Sequence, residues 1–323
     1  MLICRVRMYI YILTLSFMKN KYACEVEMAR KSSIIIAKPK IETFLKNNNQ
    51  NIYSPTALEG VFYSSKNDWR LSASTTAKQF IDFLLEKSIL KKITLDFPTQ
   101  SVTRYVYGEE SAKNIYQLAL SLKPKSYISH YSAIFLNNLT EQIPKNIFIT
   151  FEQPRKNRPD NSLTQEKINE AFKKPVRKTV NVAQFGDFNI TLINGQYTDK
   201  AGVLKRKEND GNTISLTNIE RTLIDAAVRP EYSGGVLEVL KAYKNASGLV
   251  QVNKLKAYLK QIDFIYPYHQ VIGFYLEKAG LSDKRLAHIE NSFEKTFDFY
   301  LAHNMQDMLY SQRWRLYYPS SLE

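Results

Sequence analysis

The sequence predicts an α+β protein in two parts: a small N-terminal unit of helices closed by a β-hairpin, then a larger domain with a mixed or antiparallel sheet and a C-terminal helical part. Three observations carry this. Between residues 34 and 108, three short stretches of helical periodicity precede two β-prone runs. From 146 to 216 β-prone runs recur between turn signals, and from Thr217 apolar residues return to helical spacing. The 323 residues exceed one ordinary core and suit two.

In the first part, Ile41, Phe44 and Leu45 follow Pro39 at helical spacing, and Asn47 to Asn49 end that helix. Ser54 before Pro55 is an N-cap followed by proline at the first helical position, and Leu58, Val61 and Phe62 give this second helix one apolar face as far as about Ser65. Beyond a turn at Asn67 and Asp68, Ser74 is expected to cap a third helix. Its Ala77, Ile81, Leu84 and Leu85 share a face, opposite Thr75, Lys78, Gln79 and Asp82. Ile89 to Phe97 and Val102 to Tyr107 then form a hairpin across Pro98 to Ser101. Three helices and a hairpin make a winged helix-turn-helix, whose third helix enters the major groove while the hairpin lies along the backbone. A connecting helix from Glu109 to Leu122 stops at Lys123-Pro124-Lys125, which bounds a domain of residues 34–124.

Residues 125–323 form the second domain. It opens with a helix around His130 to Leu139, a strand from Asn146 to Phe151, and a basic loop from Gln153 to Asn161. Strands are expected at Lys178 to Phe185, Phe188 to Asn194, Val203 to Glu208 and Thr213 to Leu216, the last two joined across Asn209-Asp210-Gly211-Asn212. Thr217 and Glu220 have capping-box spacing ahead of a helix through Ile219, Leu223 and Ala226 that stops before Pro230. Three further helices end near Asn304.

Residues 1–33 read as a leader. Arg5 and Arg7 precede an apolar run from Met8 to Met18, but Lys19 and Lys21 follow at once, no small-residue cleavage site appears, and the run is short of the roughly 20 residues of a membrane span. The expectation is an over-extended start, with Met18 and Met28 offering later initiation. Cys4 and Cys24 both precede Met28, so the body of the chain has neither a disulfide nor a thiolate metal site, which suits the cytoplasm.

Basic residues outnumber acidic ones by 45 to 31, and the excess is uneven. Residues 28–124 carry 14 basic against 8 acidic and residues 125–215 carry 14 against 9, whereas 216–323 carry 13 against 12. An N-terminal half facing a polyanion fits this distribution. At the head of the third helix Ser74, Thr75, Thr76, Lys78 and Gln79 can meet bases and phosphates, Gln being able to pair bidentately with adenine. Lys66 and Arg70 in the preceding turn, with Lys91, Lys92 and Arg104 on the hairpin, are phosphate candidates. Arg155, Lys156, Arg158, Lys205, Arg206 and Lys207 are candidates for additional DNA or partner contact.

Catalytic residues, cofactor and metal are not expected. His130, His269, His288 and His303 fall on different elements without metal-ligand spacing, and neither a phosphate-binding glycine loop nor a nucleophile elbow is present. Arg221 and Asp225, four apart, read as a helix-face pair without chemistry.

Two strings go beyond pattern: YISHYSAIFLNNLTEQIPKNIFIT at 127–150 and SLTNIERTLIDAAVRPEYSGGVLEVLKAY at 215–243. Together they resemble the AbiEi family of bacterial type IV antitoxins, over roughly residues 35–310. The resemblance implies a winged-helix domain that represses the antitoxin–toxin operon at repeats in its promoter. It further implies a C-terminal domain that counters a neighbouring AbiEii-like nucleotidyltransferase toxin. Double-stranded promoter DNA and that toxin are thus the expected partners, with no membrane. Neutralisation by direct binding of the toxin is the alternative, and a C-terminal domain that modifies nucleotide or protein is the less favoured one.

Overall fold

The computed structural model of the chain describes residues 32–48, 50–108, 114–155, 163–208 and 211–323. The chain divides into two compact units, with the boundary between Lys91 and Lys92. Helices and mixed sheets make the class α+β. Residues 1–31 of the expected leader lie outside the described residues.

The first elements are helix α1 (Ser33–Asn47), strand β1 (Ile52–Tyr53), helices α2 (Pro55–Ser65) and α3 (Ala77–Glu86), and strands β2 (Leu90–Phe97) and β3 (Gln100–Tyr107). The division into units falls within β2. The order is thus helix, short strand, helix, helix, hairpin. α1 begins well before Pro39, which sits inside it. Its buried stripe of Ala37, Ile41 and Leu45 runs through the proline at i, i+4 and i+8, and burying that stripe outweighs the one backbone bond that Pro39 cannot donate. α2 starts as its residues dictate, with the Ser54 hydroxyl accepting the Ala57 N–H at 3.1 Å. α3 buries Ala77, Phe80, Ile81, Phe83 and Leu84, so the phenylalanines fill core positions in place of Leu85, which is half-buried.

In the larger unit, α4 (Ile115–Ser121) packs on β4 (Tyr127–Ile128), β5 (Asn146–Glu152) and β9 (Thr213–Thr217). The connecting helix thus belongs to the second unit rather than closing the first. The start of its expected span, at residues 109–113, lies outside the described residues. With β6 (Val182–Phe185), β7 (Phe188–Gly195) and β8 (Val203–Lys207), these strands form a six-stranded mixed sheet in the order β6-β7-β5-β4-β9-β8 among the described residues. Its spine is the parallel pair β5 and β7, in register from Asn146 opposite Asn189 to Glu152 opposite Gly195, with Ile147, Ile149, Ile190 and Leu192 buried.

Helix α5 (His130–Leu136) lies on β5, and α6 (Gln165–Lys173), which the sequence pattern did not announce, buries Ile168 and Phe172. Helix α7 (Ile219–Val228) is the hub: α5, α8 (Val236–Ala246), α9 (Val252–Ile262) and α10 (Tyr268–Lys278) all pack against it. Its cap differs from the expected box. The Asn218 carboxamide oxygen accepts the Arg221 N–H at 3.0 Å, and the Glu220 carboxylate instead takes the Gln251 N–H at 3.0 Å and Lys254 at 3.3 Å. α11 (Asp283–Glu290) makes four helices after α7 among the described residues, where three were expected. The chain then forms a small sheet, β10 (Phe299–Tyr300), β12 (Leu316–Pro319) and β11 (Met308–Ser311) in that order, so the C-terminal part is not purely helical. Trp314 is fully buried against α10, where Gly273 leaves room for its ring: a Cβ there would lie 2.1 Å from the indole.

Candidate nucleic-acid interface

The first unit is built around one aromatic stack that fixes α3. The rings of Trp69 and Phe80 stack at 5.5 Å, Phe62 of α2 meets Phe80 at 5.4 Å, and Phe44 of α1 stands edge-on to Trp69 at 5.5 Å. Three helices thereby share one set of ring contacts, which fixes the first turns of α3. The tight turn after α2 places Arg70 in the left-handed region at φ 51° and carries the chain towards α3 with the Leu71 N–H donating to the Lys66 carbonyl at 3.1 Å.

α3 opens with a complete capping box centred on Thr76 rather than Ser74. The Thr76 hydroxyl accepts the Gln79 N–H at 3.2 Å, and the Gln79 carboxamide oxygen accepts the Thr76 N–H at 2.9 Å. Ser74 is held in the loop ahead of it, its hydroxyl sharing a 2.9 Å bond with that of Ser72. The correction follows from spacing: Thr76 has glutamine three residues on, whereas Ser74 has Ala77 there and no reciprocal acceptor. Beyond the cap, Lys78, Gln79, Asp82 and Glu86 are exposed and Thr75 is half-buried, giving α3 one solvent face whose N-terminal half carries the donors. Arg70, Lys91 and Lys92 are also exposed.

Three other expected contacts are committed inside the fold. Lys66 donates to the carbonyls of Ala73 at 2.9 Å and Thr75 at 2.8 Å and sits 5.2 Å over the Phe62 ring, so it staples the turn that aims α3. Arg104 is buried, donating to the Ser121 carbonyl at 2.7 Å and the Thr103 carbonyl at 2.7 Å, and burial lowers its pKa. It ties β3 to the C-terminal end of α4, where unsatisfied helix carbonyls accept a cation, and is not available to phosphate. Arg206 is half-buried, paired with Glu208 at 3.0 Å and donating to the Leu136 carbonyl at 2.7 Å. Lys205 and Lys207 are exposed on β8, the edge of the large sheet, where charge also blocks pairing with another strand. Arg155 is exposed, and Lys156 and Arg158 lie outside the described residues.

Arg221 and Asp225, which the sequence pattern suggested as a helix-face pair, are not on the surface. Both are buried, joined at 2.7 Å, and Arg221 further donates to the Ala201 carbonyl at 2.8 Å, the Thr198 hydroxyl at 3.0 Å and the Tyr127 hydroxyl at 3.2 Å. Burial opposes the charged guanidinium, but Asp225 and its other acceptors outweigh this and hold the Arg221 pKa above its ordinary value. Tyr127 in turn donates to Glu152 at 3.1 Å, whose carboxylate also takes the Thr198 hydroxyl and the Thr198 N–H. The sequence carries no local signal of this burial, since Glu220, Arg221, Thr222 and Asp225 form a polar stripe that reads as a solvent face.

Among the described residues no helix is long and apolar enough to cross a membrane, and no group of three or more His, Cys, Asp or Glu could hold a metal ion. No family model matches the sequence, and no curated protein does. The fold is similar to the crystal structure of the RV2827C protein from Mycobacterium tuberculosis, with a TM-score of 0.54 over 88% of this chain and 91% of that one. At 12% identity the likeness establishes the fold alone.

Proposed function

We propose that the chain is a DNA-binding regulator that represses its own operon from repeats in the promoter and, as the antitoxin of a type IV pair, counteracts a neighbouring nucleotidyltransferase-like toxin. The observation that carries the DNA-binding part is the head of α3. A capping box and an aromatic stack fix the helix, and Lys78 and Gln79 stand exposed on its first turn with Thr75 beside them. Such a preorganised helix start is what major-groove reading requires. The antitoxin part rests on the resemblance of residues 127–150 and 215–243 to the AbiEi family.

The test is binding to the chain's own upstream DNA against scrambled DNA, across salt. Gln79→Glu keeps an acceptor for the Thr76 N–H while removing the amide donors and adding a negative charge, so it separates reading from capping. The expected loss of preference for the upstream DNA is about 1–3 kcal/mol, the value of one good base contact. Lys78→Ala should weaken both DNAs alike. With Lys66 and Arg104 committed inside the fold, Arg70, Lys78, Lys91 and Lys92 remain as phosphate contacts. Those four would contribute about 3.6 to the magnitude of the slope of log K against log salt per bound chain. Equal affinity for the two DNAs would overturn the regulator reading. Failure to restore growth when co-expressed with the adjacent toxin gene would overturn the antitoxin one.

A further inference from the structure

In the larger unit a cavity of about 510 Å³ opens between the ends of β5 and β7, helix α7 and the segment 264–268, a size suited to a small organic ligand. Its charge is one-sided. Arg177, Lys178, Arg221 and Arg229 line it, and among its lining residues Asp225 is the one carboxylate, already paired with Arg221. His130 adds no charge near neutrality, because burial pushes its pKa down to about 4. Arg229 is half-buried and Arg177 and Lys178 are exposed at the rim, so the surplus positive charge can reach a bound anion.

The other half of the wall is aromatic. Tyr232, Phe264, Tyr266 and Tyr268 line the cavity. Tyr232 is locked in place: its hydroxyl accepts the Thr179 N–H at 2.7 Å, and its ring stands edge-on to His130 at 5.5 Å. Asp225, which lines the cavity, keeps one carboxylate oxygen, Oδ2, buried and without a hydrogen-bond partner among the described residues. A cationic rim, flat aromatic faces and one inner acceptor match phosphate, a planar base, and an amino or hydroxyl group respectively. A metal cation is disfavoured by the charge, and a simple carboxylate would leave the aromatic wall without a counterpart.

We infer that this cavity binds a nucleoside phosphate, with Arg177, Lys178 and Arg229 on the phosphates, the tyrosines and Phe264 against the base, and Asp225 accepting from a base amine or ribose hydroxyl. The site lies wholly in the larger unit and does not depend on the DNA-binding reading.

The experiment is calorimetric titration of the full chain with ATP, GTP and inorganic phosphate, repeated on Arg229→Ala and on the double variant Arg177→Ala/Lys178→Ala. Thermal melts of each variant check that it folds, and its affinity for upstream DNA is measured in parallel. The expected result is saturable one-to-one binding of at least one nucleotide, at least tenfold tighter than inorganic phosphate and weakened at least tenfold in the double variant, with DNA affinity unchanged. Absence of binding at millimolar nucleotide would overturn the inference. So would phosphate binding as tightly as nucleotide, or nucleotide affinity unchanged in both variants.

Discussion

Replacing Arg221 by Met tests whether the larger unit is organised around a buried charge. The guanidinium gives four hydrogen bonds, to Asp225, Thr198, Ala201 and Tyr127, none longer than 3.2 Å, and the residue is only 5% exposed. Removing it leaves Asp225 buried without its counter-charge, and breaking one side of such a pair costs about 3–5 kcal/mol. The double variant Arg221→Met/Asp225→Leu removes the stranded carboxylate as well. It should recover at least half of that loss, the remaining deficit of about 1–3 kcal/mol being the Ala201 carbonyl left without a donor. Urea unfolding followed by tryptophan fluorescence reads this, since Trp314 is fully buried in the same unit. A single variant within about 1 kcal/mol of the parent, or a double variant less stable than the single, would refute the reasoning.

Further outcomes follow from other buried groups. Burial holds the pKa values of His130 and His269 down to about 4, below the ordinary 6.5. The unfolded chain then binds more protons between these values, so stability is fully present above about pH 6.5 and falls towards pH 4 by up to about 1.4 kcal/mol per unit for each group. His130→Asn, which suits the left-handed φ of 50° at that position, should remove part of this slope in urea titrations at pH 7.5 and 5.5, and an unchanged slope would contradict it. Arg104→Met should cost about 1–3 kcal/mol in the same assay while leaving the salt slope of DNA binding as it was; a lowered slope would return Arg104 to the DNA footprint. Gly273→Ala would press a methyl group into the Trp314 ring, costing about 1–3 kcal/mol or more, and an unshifted melting temperature would show that the indole can move away.

What is legible in the stretch up to Tyr107 is local. Ser54 and Pro55 set the start of α2 because cap and first turn lie within four residues of each other, and the β2 and β3 runs announce themselves by composition and an intervening Pro98. The start of α3 is also written locally, in Thr76 and Gln79, and weighing Ser74 as a cap without regard to what stands three residues on misplaces it. Which cations face solvent is not legible. Lys66 and Lys78 look alike in the sequence, yet one reaches carbonyls seven and nine residues away and the other is exposed. Besides the neighbouring Thr103 carbonyl, Arg104 finds its acceptors on Ser121, seventeen residues on, in a helix whose packing no local rule fixes.

In the larger unit the same limit applies to polar groups within apolar elements. An arginine and an aspartate four apart form a surface pair only if their helix has a surface, and α7 keeps Leu223, Ile224, Ala226 and Ala227 buried around them. Once buried, the guanidinium must find further acceptors. Their identities do not follow, because Tyr127, Thr198 and Ala201 come from 94, 23 and 20 residues away. The fold was therefore needed to show both that a buried polar network exists at α7 and where it ends. It ends at Asp225, whose second oxygen is buried and unsatisfied among the described residues, and Asp225 lines the cavity together with the aromatic segment 264–268 and the cationic residues Arg177, Lys178 and Arg229.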